Sequence, residues 1–448
     1  MKRIAIYILL FFSIFLILLS ENHFIKDNGF YFIFFHFILG LILVGNKGFR
    51  LLSPISIIYF YTTLSLSIGS WGFSRGYIIQ RNLEEGFVAW NHSNLSLSII
   101  LLFTATFIII GERYLPKKLN RTKFNDIPFT RYLITVILFL PFFFFDVDLS
   151  PLGGSGSLSK IPKALFAVST ILYLQKFKVK SRYLGYLLII LIMAVVSINE
   201  KREAIFLILP VLYLEVIRNK LNLNFKNLIF LSILLLYCMT LILAMSIARG
   251  YGGFGQYQSI FSSIGLIPSY ISSDIFIGGL LLNIEVGYVY FHSLNSIELI
   301  INNPTLLAFG STIIKAFFIV LPRSIVPFKP DSIITLYTTN YDPAFRVVGG
   351  SFPINIFSEF FWNFHIFGIL LSLLLILFCR LLYKNLYQAI DISSIPKTLF
   401  YFVCYFNILT LARGSGLDLY CLILFLSSFF IGLYMAVDSF LFRKNYSA

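Results

Sequence analysis

Acidic residues are scarce in this chain: 20 Asp and Glu stand against 35 Lys and Arg, and charged residues of either sign make up only 12% of 448. An ordinary soluble domain carries roughly 25% charged residues, so a water-soluble fold of this length is excluded. Cysteine is equally sparse. Cys238, Cys379, Cys404 and Cys421 all fall in apolar runs, without a CxxC or a neighbouring His, which leaves them as structural thiols rather than zinc ligands. The histidines, His23, His36, His92, His292 and His365, are scattered, and HExxH, DxD and paired-Asp motifs are all missing, so no metal is expected. No Gly-rich phosphate loop precedes a helix either; the glycines of GYGGFG at 250–255 read as a turn after a helix end. The loops on the side read as cytoplasmic are too short for a nucleotide-binding domain, which excludes an ATP-driven mechanism within the chain. Internal repeats, an inverted half-to-half pattern and low-complexity linkers are absent as well.

What fills the chain is apolar sequence: 58% hydrophobic residues and a mean hydropathy of +0.86. Continuous runs of about 15 to 25 residues have the length that crosses hydrocarbon as a helix, whereas a β-barrel would show short alternating segments. The fold expected is all-α, a polytopic integral membrane protein forming a single membrane domain over 1–448. About twelve spans are expected, at 4–20, 29–45, 51–70, 95–111, 131–145, 161–175, 183–198, 204–217, 228–247, 353–379, 398–412 and 417–441. Lys2 and Arg3 precede the first run, but no small-residue cleavage site follows before Glu21, so it reads as an uncleaved span.

The formal charge of +15 follows from topology rather than from nucleic-acid binding. With the N-terminus inside, the cytoplasmic segments hold most of the basic residues, among them Lys47, Arg50, Arg113, Lys176, Lys178, Arg380 and Lys384. Both termini are then cytoplasmic. The outer side gains one long connection, 248–352, with two further apolar runs near 275–291 and 305–321. Counting both as spans would leave 292–304 in the cytoplasm without a Lys or Arg, so they read as re-entrant or interfacial helices of an outer cap.

The working site is expected between Leu321 and Phe364. Pro322, Pro327, Pro330, Pro343, Gly349 and Gly350 break any helix in its first half. A long apolar helix opens from Pro353 and carries Glu359 about two turns in, where an ionisable side chain is costly and marks function. As a candidate proton acceptor it is weighed equally against a structural ion pair with an Arg of a neighbouring helix. Basic residues left on the outer side are Lys201, Arg202, Arg249, Arg323, Lys329, Arg346 and Arg413. Arg202, Arg249 and Arg413 each end a predicted helix, so several guanidinium groups meet one level, as a phosphate or diphosphate at the surface would require. Taken singly, each reads as an interfacial anchor. Asp418 is the outer carboxylate nearest Arg413 in sequence.

The segment from Pro322 to Pro330, PRSIVPFKP, followed by Gly349, Gly350 and Ser351 leading to Glu359, Asn363 and Phe364, resembles bacterial oligosaccharide repeat unit polymerases of the Wzy type. The likeness is specific over about forty residues and elsewhere rests on topology. His365 departs from it, since such proteins often carry Gly after the Asn-Phe pair. The resemblance implies a metal-independent, cofactor-free glycosyltransferase of the bacterial inner membrane. It would join undecaprenyl-diphosphate-linked repeat units into O-antigen or capsule, with a chain-length regulator protein as a possible partner beside membrane lipids. Arg202, Arg249, Arg323 and Arg413 would meet the charge of the departing diphosphate, and Glu359 would orient or deprotonate the acceptor hydroxyl, with Lys329, Arg346, Asn363 and Asp418 in support. The related O-antigen ligases share the helix count and outer loop. A flippase or other transporter would call for paired repeats and broken helices near the midplane, and the sequence shows neither.

Overall fold

Apolar runs become helices here where a polar residue caps them and a Pro, Gly or polar turn stops them. Ser53 accepts a hydrogen bond from Ser56 N at 3.2 Å with Pro54 as the first helical residue, and Ser93 does the same for Ser96 N at 3.3 Å; both satisfy an N–H that the helix itself cannot. The computed structural model describes residues 2–21, 24–77, 93–116, 127–145, 160–196, 207–217, 225–248, 259–283, 286–392, 395–414 and 416–442. Among these every regular element is helical.

The first half comprises α1 (Lys2–Leu19), α2 (Phe24–Val44), α3 (Gly48–Leu51), α4 (Pro54–Ser74), α5 (Asn94–Gly111), α6 (Phe129–Phe139), α7 (Lys160–Leu174), α8 (Val179–Val196), α9 (Ile208–Ile217) and α10 (Phe225–Ala248). Then come α11 (Ile260–Ile271), α12 (Phe276–Asn283), α13 (Val286–Asn302), α14 (Ser311–Phe318), α15 (Ile333–Tyr341) and α16 (Pro343–Val347). The chain closes with α17 (Ile356–Phe364), α18 (Ile369–Ile392), α19 (Ile395–Phe406), α20 (Ile408–Arg413) and α21 (Leu417–Phe442).

Among the described residues five helices are long and apolar enough to cross a membrane: Asn94–Tyr114, Val179–Val196, Ile356–Ile390, Ile395–Arg413 and Leu417–Phe442. A sixth candidate is the pair Val289–Asn302 and Pro304–Phe318, bent by 113° at its break. Further apolar helices, including Arg3–Leu19 and Asn28–Val44, are shorter. Among the described residues the chain is thus all-helical with several candidate spans, and the bent pair is either one broken span or a re-entrant loop of the kind expected within 248–352. Helix exteriors fit that reading. Ile8, Phe12 and Phe15 of α1, Leu184 and Leu188 of α8, and Phe425 and Phe429 of α21 are exposed, an apolar outer surface that water would penalise and lipid would not.

Polar and small residues face inward. In α4, Ser56, Thr62, Thr63, Ser65, Ser67 and Ser70 are buried. Gly69 lets α13 approach so closely that a Cβ there would lie 2.4 Å from Tyr290 Cβ. Small interfacial residues of this kind bring helices together where no hydrophobic force separates protein from lipid. α4 packs on α2, α13 and α20, and so links the early helices to those that build the site.

The run expected as one span from 353 is interrupted. Pro353–Asn355 is extended, α17 ends at Phe364, and a 3-10 turn, His365–Gly368, leads into α18. Glu359 therefore lies in the first turn of a short helix, not two turns into a long one, because Asn355 starts it: Asn355 Oδ1 accepts from Ser358 N at 2.8 Å. His365 has φ 53° and ψ −139°, a region that strains any residue with a Cβ. That is the position where the resemblance would place Gly. His365→Gly is accordingly expected to be more stable than His365→Ala by about 1–2 kcal/mol, the reverse of the usual helix ranking, read from thermal unfolding of the two purified variants in one detergent. Equal stability of the pair would show that the turn carries no strain.

Candidate functional site

Three segments far apart in sequence meet around Glu359. α14 brings Thr312 and Lys315, one turn apart on the same face; α17 brings Glu359 and Asn363; the start of α21 brings Leu417 and Asp418. The approach depends on two glycines between α20 and α21. Gly414 has φ 91° and caps α20, and a Cβ there would fall 1.3 Å from the Ile354 carbonyl oxygen; Gly416 also has φ 91°. Only glycine allows this backbone to press against the strap before α17.

Glu359 is 1% exposed and both carboxylate oxygens are engaged. Oε1 accepts from Thr312 Oγ1 at 3.1 Å, and Oε2 accepts from Leu417 N at 3.0 Å. Leu417 is the first residue of α21, so the carboxylate meets the positive end of a helix dipole. Asn363 Nδ2 donates to Thr312 Oγ1 at 2.8 Å and to the Glu359 carbonyl at 2.9 Å, which fixes the hydroxyl that Glu359 uses. Beside them Lys315 Nζ lies 2.8 Å from Asp418 Oδ2, with both side chains 7% exposed. Behind α17, Ser293 of α13 accepts from Asn355 N at 3.0 Å and its carbonyl accepts from Ser358 Oγ at 3.0 Å.

The remaining expected site residues divide. Arg413 is buried at the end of α20. Arg323 is about half exposed and forms an ion pair with Asp331, so its charge already has a partner. Lys329 is buried and donates to the carbonyls of Ile319 at 3.0 Å and Leu321 at 2.9 Å, which follow α14. Burial first, then Lys315 and Arg323 nearby, draws its ammonium below the usual lysine range. Its place in PRSIVPFKP is thus that of a clamp on the end of α14. Arg346 Nη1 reaches the Gly350 carbonyl at 3.3 Å and steadies the turn after α16. Arg202 and Arg249 lie outside the described residues. Among the described residues no Arg pairs with Glu359, and no group of three His, Cys, Asp or Glu side chains is arranged to hold a metal.

Thr312 and Lys315 were absent from the residues singled out by sequence. Lys315 had a signal: it is the one charged residue in the apolar run 305–321, and the rule that marks an intramembrane Glu marks an intramembrane Lys equally. Thr312 had none, because a threonine in an apolar helix ordinarily bonds its own backbone.

Comparison of the chain with family models, with curated proteins and with solved structures finds no match. The arrangement therefore stands on its own chemistry: a buried carboxylate held by donors, an adjacent buried ion pair, and further cations, Arg323 and Lys329, on the segment that follows α14.

Removing one member of the Lys315–Asp418 pair leaves the other charge buried. Lys315→Met and Asp418→Asn are each expected to cost about 3–5 kcal/mol, while the double variant regains most of that loss. Denaturant unfolding of all four proteins in mild detergent measures the cycle; additive losses would mean that the two charges do not depend on one another.

Proposed function

We propose that this chain is a bacterial inner-membrane glycosyltransferase of the oligosaccharide repeat unit polymerase type, acting on undecaprenyl-diphosphate-linked sugars at the outer face. The observation that carries the reading is Glu359: a carboxylate removed from water, held by Thr312 and by the N-terminus of α21, beneath the Pro- and Gly-rich segment expected from sequence to be the site. An ionisable group is costly to bury, so one held without a cationic partner on its own oxygens marks a candidate functional site.

The step assigned to it is acceptor activation. A sugar hydroxyl of the next lipid-linked unit attacks the anomeric carbon of the growing glycan; the bond to the lipid diphosphate breaks; the hydroxyl proton passes to Glu359. Diphosphate departure builds negative charge, and Arg323, Arg413 and Lys315 are the described cations on the segments nearest Glu359. Arg202 and Arg249 are kept in the proposal as sequence candidates for the same task.

The topology proposed is about twelve spans with both termini inside and 248–352 outside as a cap. The bent pair α13–α14 favours a re-entrant reading, since Ala308 N donates to the Trp362 carbonyl at 3.0 Å just after the bend. The turn thus docks beside Asn363, near Glu359. From there the chain runs on through α18, whose 24 residues cover about 36 Å at about 1.5 Å per residue, so this turn stops short of the opposite end.

A second reading has an observation behind it: the broken pair α13–α14 and the break between α17 and α18 resemble the discontinuous helices of transporters. A flippase of the same lipid-linked units would use them.

Glu359→Gln distinguishes the two. Under the polymerase reading, turnover of purified protein with lipid-linked repeat units falls by about two to four orders of magnitude, while abundance is kept. Near wild-type turnover would remove Glu359 from the chemistry; translocation of lipid-linked units by proteoliposomes lacking any polymer product would favour the flippase. For topology, a single cysteine at exposed Asn340 in a background without the four native cysteines is expected to react with an impermeant maleimide from outside and one at Lys178 only after lysis. The opposite pattern inverts the orientation.

A further inference from the structure

At the end of the bundle remote from Glu359, α4, α5 and α18 enclose a cavity of about 210 Å³. Its walls are apolar, with Ile55, Leu115 and Cys379, and its rim carries Arg380, Lys384, Tyr114 and Tyr387. The charge there is unbalanced. Glu112 is buried and already held by Arg3 Nη1 at 3.2 Å, by Tyr7 OH at 2.6 Å and, more loosely, by Arg50 Nη2 at 3.8 Å. Arg380 and Lys384 are exposed and pair with no carboxylate among the described residues. The Arg380 guanidinium instead lies 5.1 Å from the Tyr114 ring centroid, a contact that leaves its N–H groups free for an anion. The cavity wall is fixed from behind, since Tyr383 OH donates to the Phe49 carbonyl at 2.6 Å and Tyr405 OH to the Leu52 carbonyl at 2.7 Å.

We propose that this cavity binds the phosphodiester headgroup of an anionic membrane lipid. Arg380 and Lys384, one turn apart on α18, straddle the phosphate, Tyr114 donates at headgroup level, and the apolar wall takes the first carbons of the acyl chains. Basic pockets between helices at a membrane surface take such headgroups, and each basic residue there adds to the affinity. A soluble phosphate ester would satisfy the same cations, but it would leave the apolar wall uncovered. The site is independent of the glycosyltransferase reading, because it shares no residue with the cluster around Glu359.

The test uses the purified full chain in mild detergent, titrated with phosphatidylglycerol, with phosphatidylcholine, and with glycerol phosphate, binding being read by native mass spectrometry and by the shift in thermal unfolding. Phosphatidylglycerol is expected to bind and raise the unfolding temperature, with phosphatidylcholine and glycerol phosphate ineffective. The double variant R380Q/K384Q is expected to weaken that binding about thirtyfold; both positions are exposed, so its unaided unfolding temperature stays near wild type. The charge-matched control K178Q/K180Q, also exposed, keeps full binding. Unchanged lipid affinity in R380Q/K384Q, or an equal loss in the control, overturns the site; protection by glycerol phosphate equal to that by lipid overturns the lipid assignment.

Discussion

The compensation of buried charge organises this structure. Glu359 has no water to solvate it, and every neighbour that matters is placed to supply what water would: a hydroxyl from α14, a backbone N–H and dipole from α21, and an asparagine that holds the hydroxyl in place. The hydroxyl and the backbone N–H lie 47 and 58 residues away along the chain, so the carboxylate ties the bent pair, the strap before α17 and the last span into one unit. Lys315 and Asp418 extend the same logic, since neither charge is tolerable at that depth without the other.

The rest of the bundle supports this arrangement through small residues. Gly414 is needed where α20 turns against the Ile354 carbonyl, and Gly69 where α4 meets α13. α13 in turn carries Ser293, which bonds the strap at Asn355 and Ser358. A serine-rich central helix packed closely on its neighbours, with bulky aliphatic and aromatic side chains turned outward, is the arrangement that lipid favours and water does not.

Much of this was legible in the sequence. The apolar runs mark nearly every long helix to within a few residues, and Glu359 is conspicuous because one carboxylate interrupts FSEFFWNF. The break at His365 was not legible, because the residue there is not the glycine or proline that ordinarily announces a turn; only the likeness to proteins with Gly at that point hinted at it. Nor could spacing show which charges were already engaged. Arg323 and Asp331 sit eight residues apart on either side of two prolines, and only the turn those prolines make brings them together. Lys315 was passed over because it sits in a run read as a re-entrant or interfacial helix, and nothing in the spacing shows that the 113° bend packs that helix onto α21.

Positive charge finds carboxylate partners at both ends of the bundle, since Arg3 and Arg50 share Glu112 at the far end. Near Glu359 the cations are partnered, Lys315 with Asp418, Arg323 with Asp331 and Lys329 with two carbonyls. At the far end Arg380 and Lys384 stand free of carboxylates among the described residues. Under the proposed function a lipid diphosphate entering the site would have to take cations from Asp331 or Asp418, so binding becomes an exchange of one anion for another. An exchange of this kind never leaves a lysine or arginine uncompensated in a low-dielectric site, and the displaced carboxylate meets water only at the mouth, where Asp331 already lies half exposed. The half-exposed pair is therefore the one that opens at least cost, while Glu359 keeps its own bonds to Thr312 and Leu417.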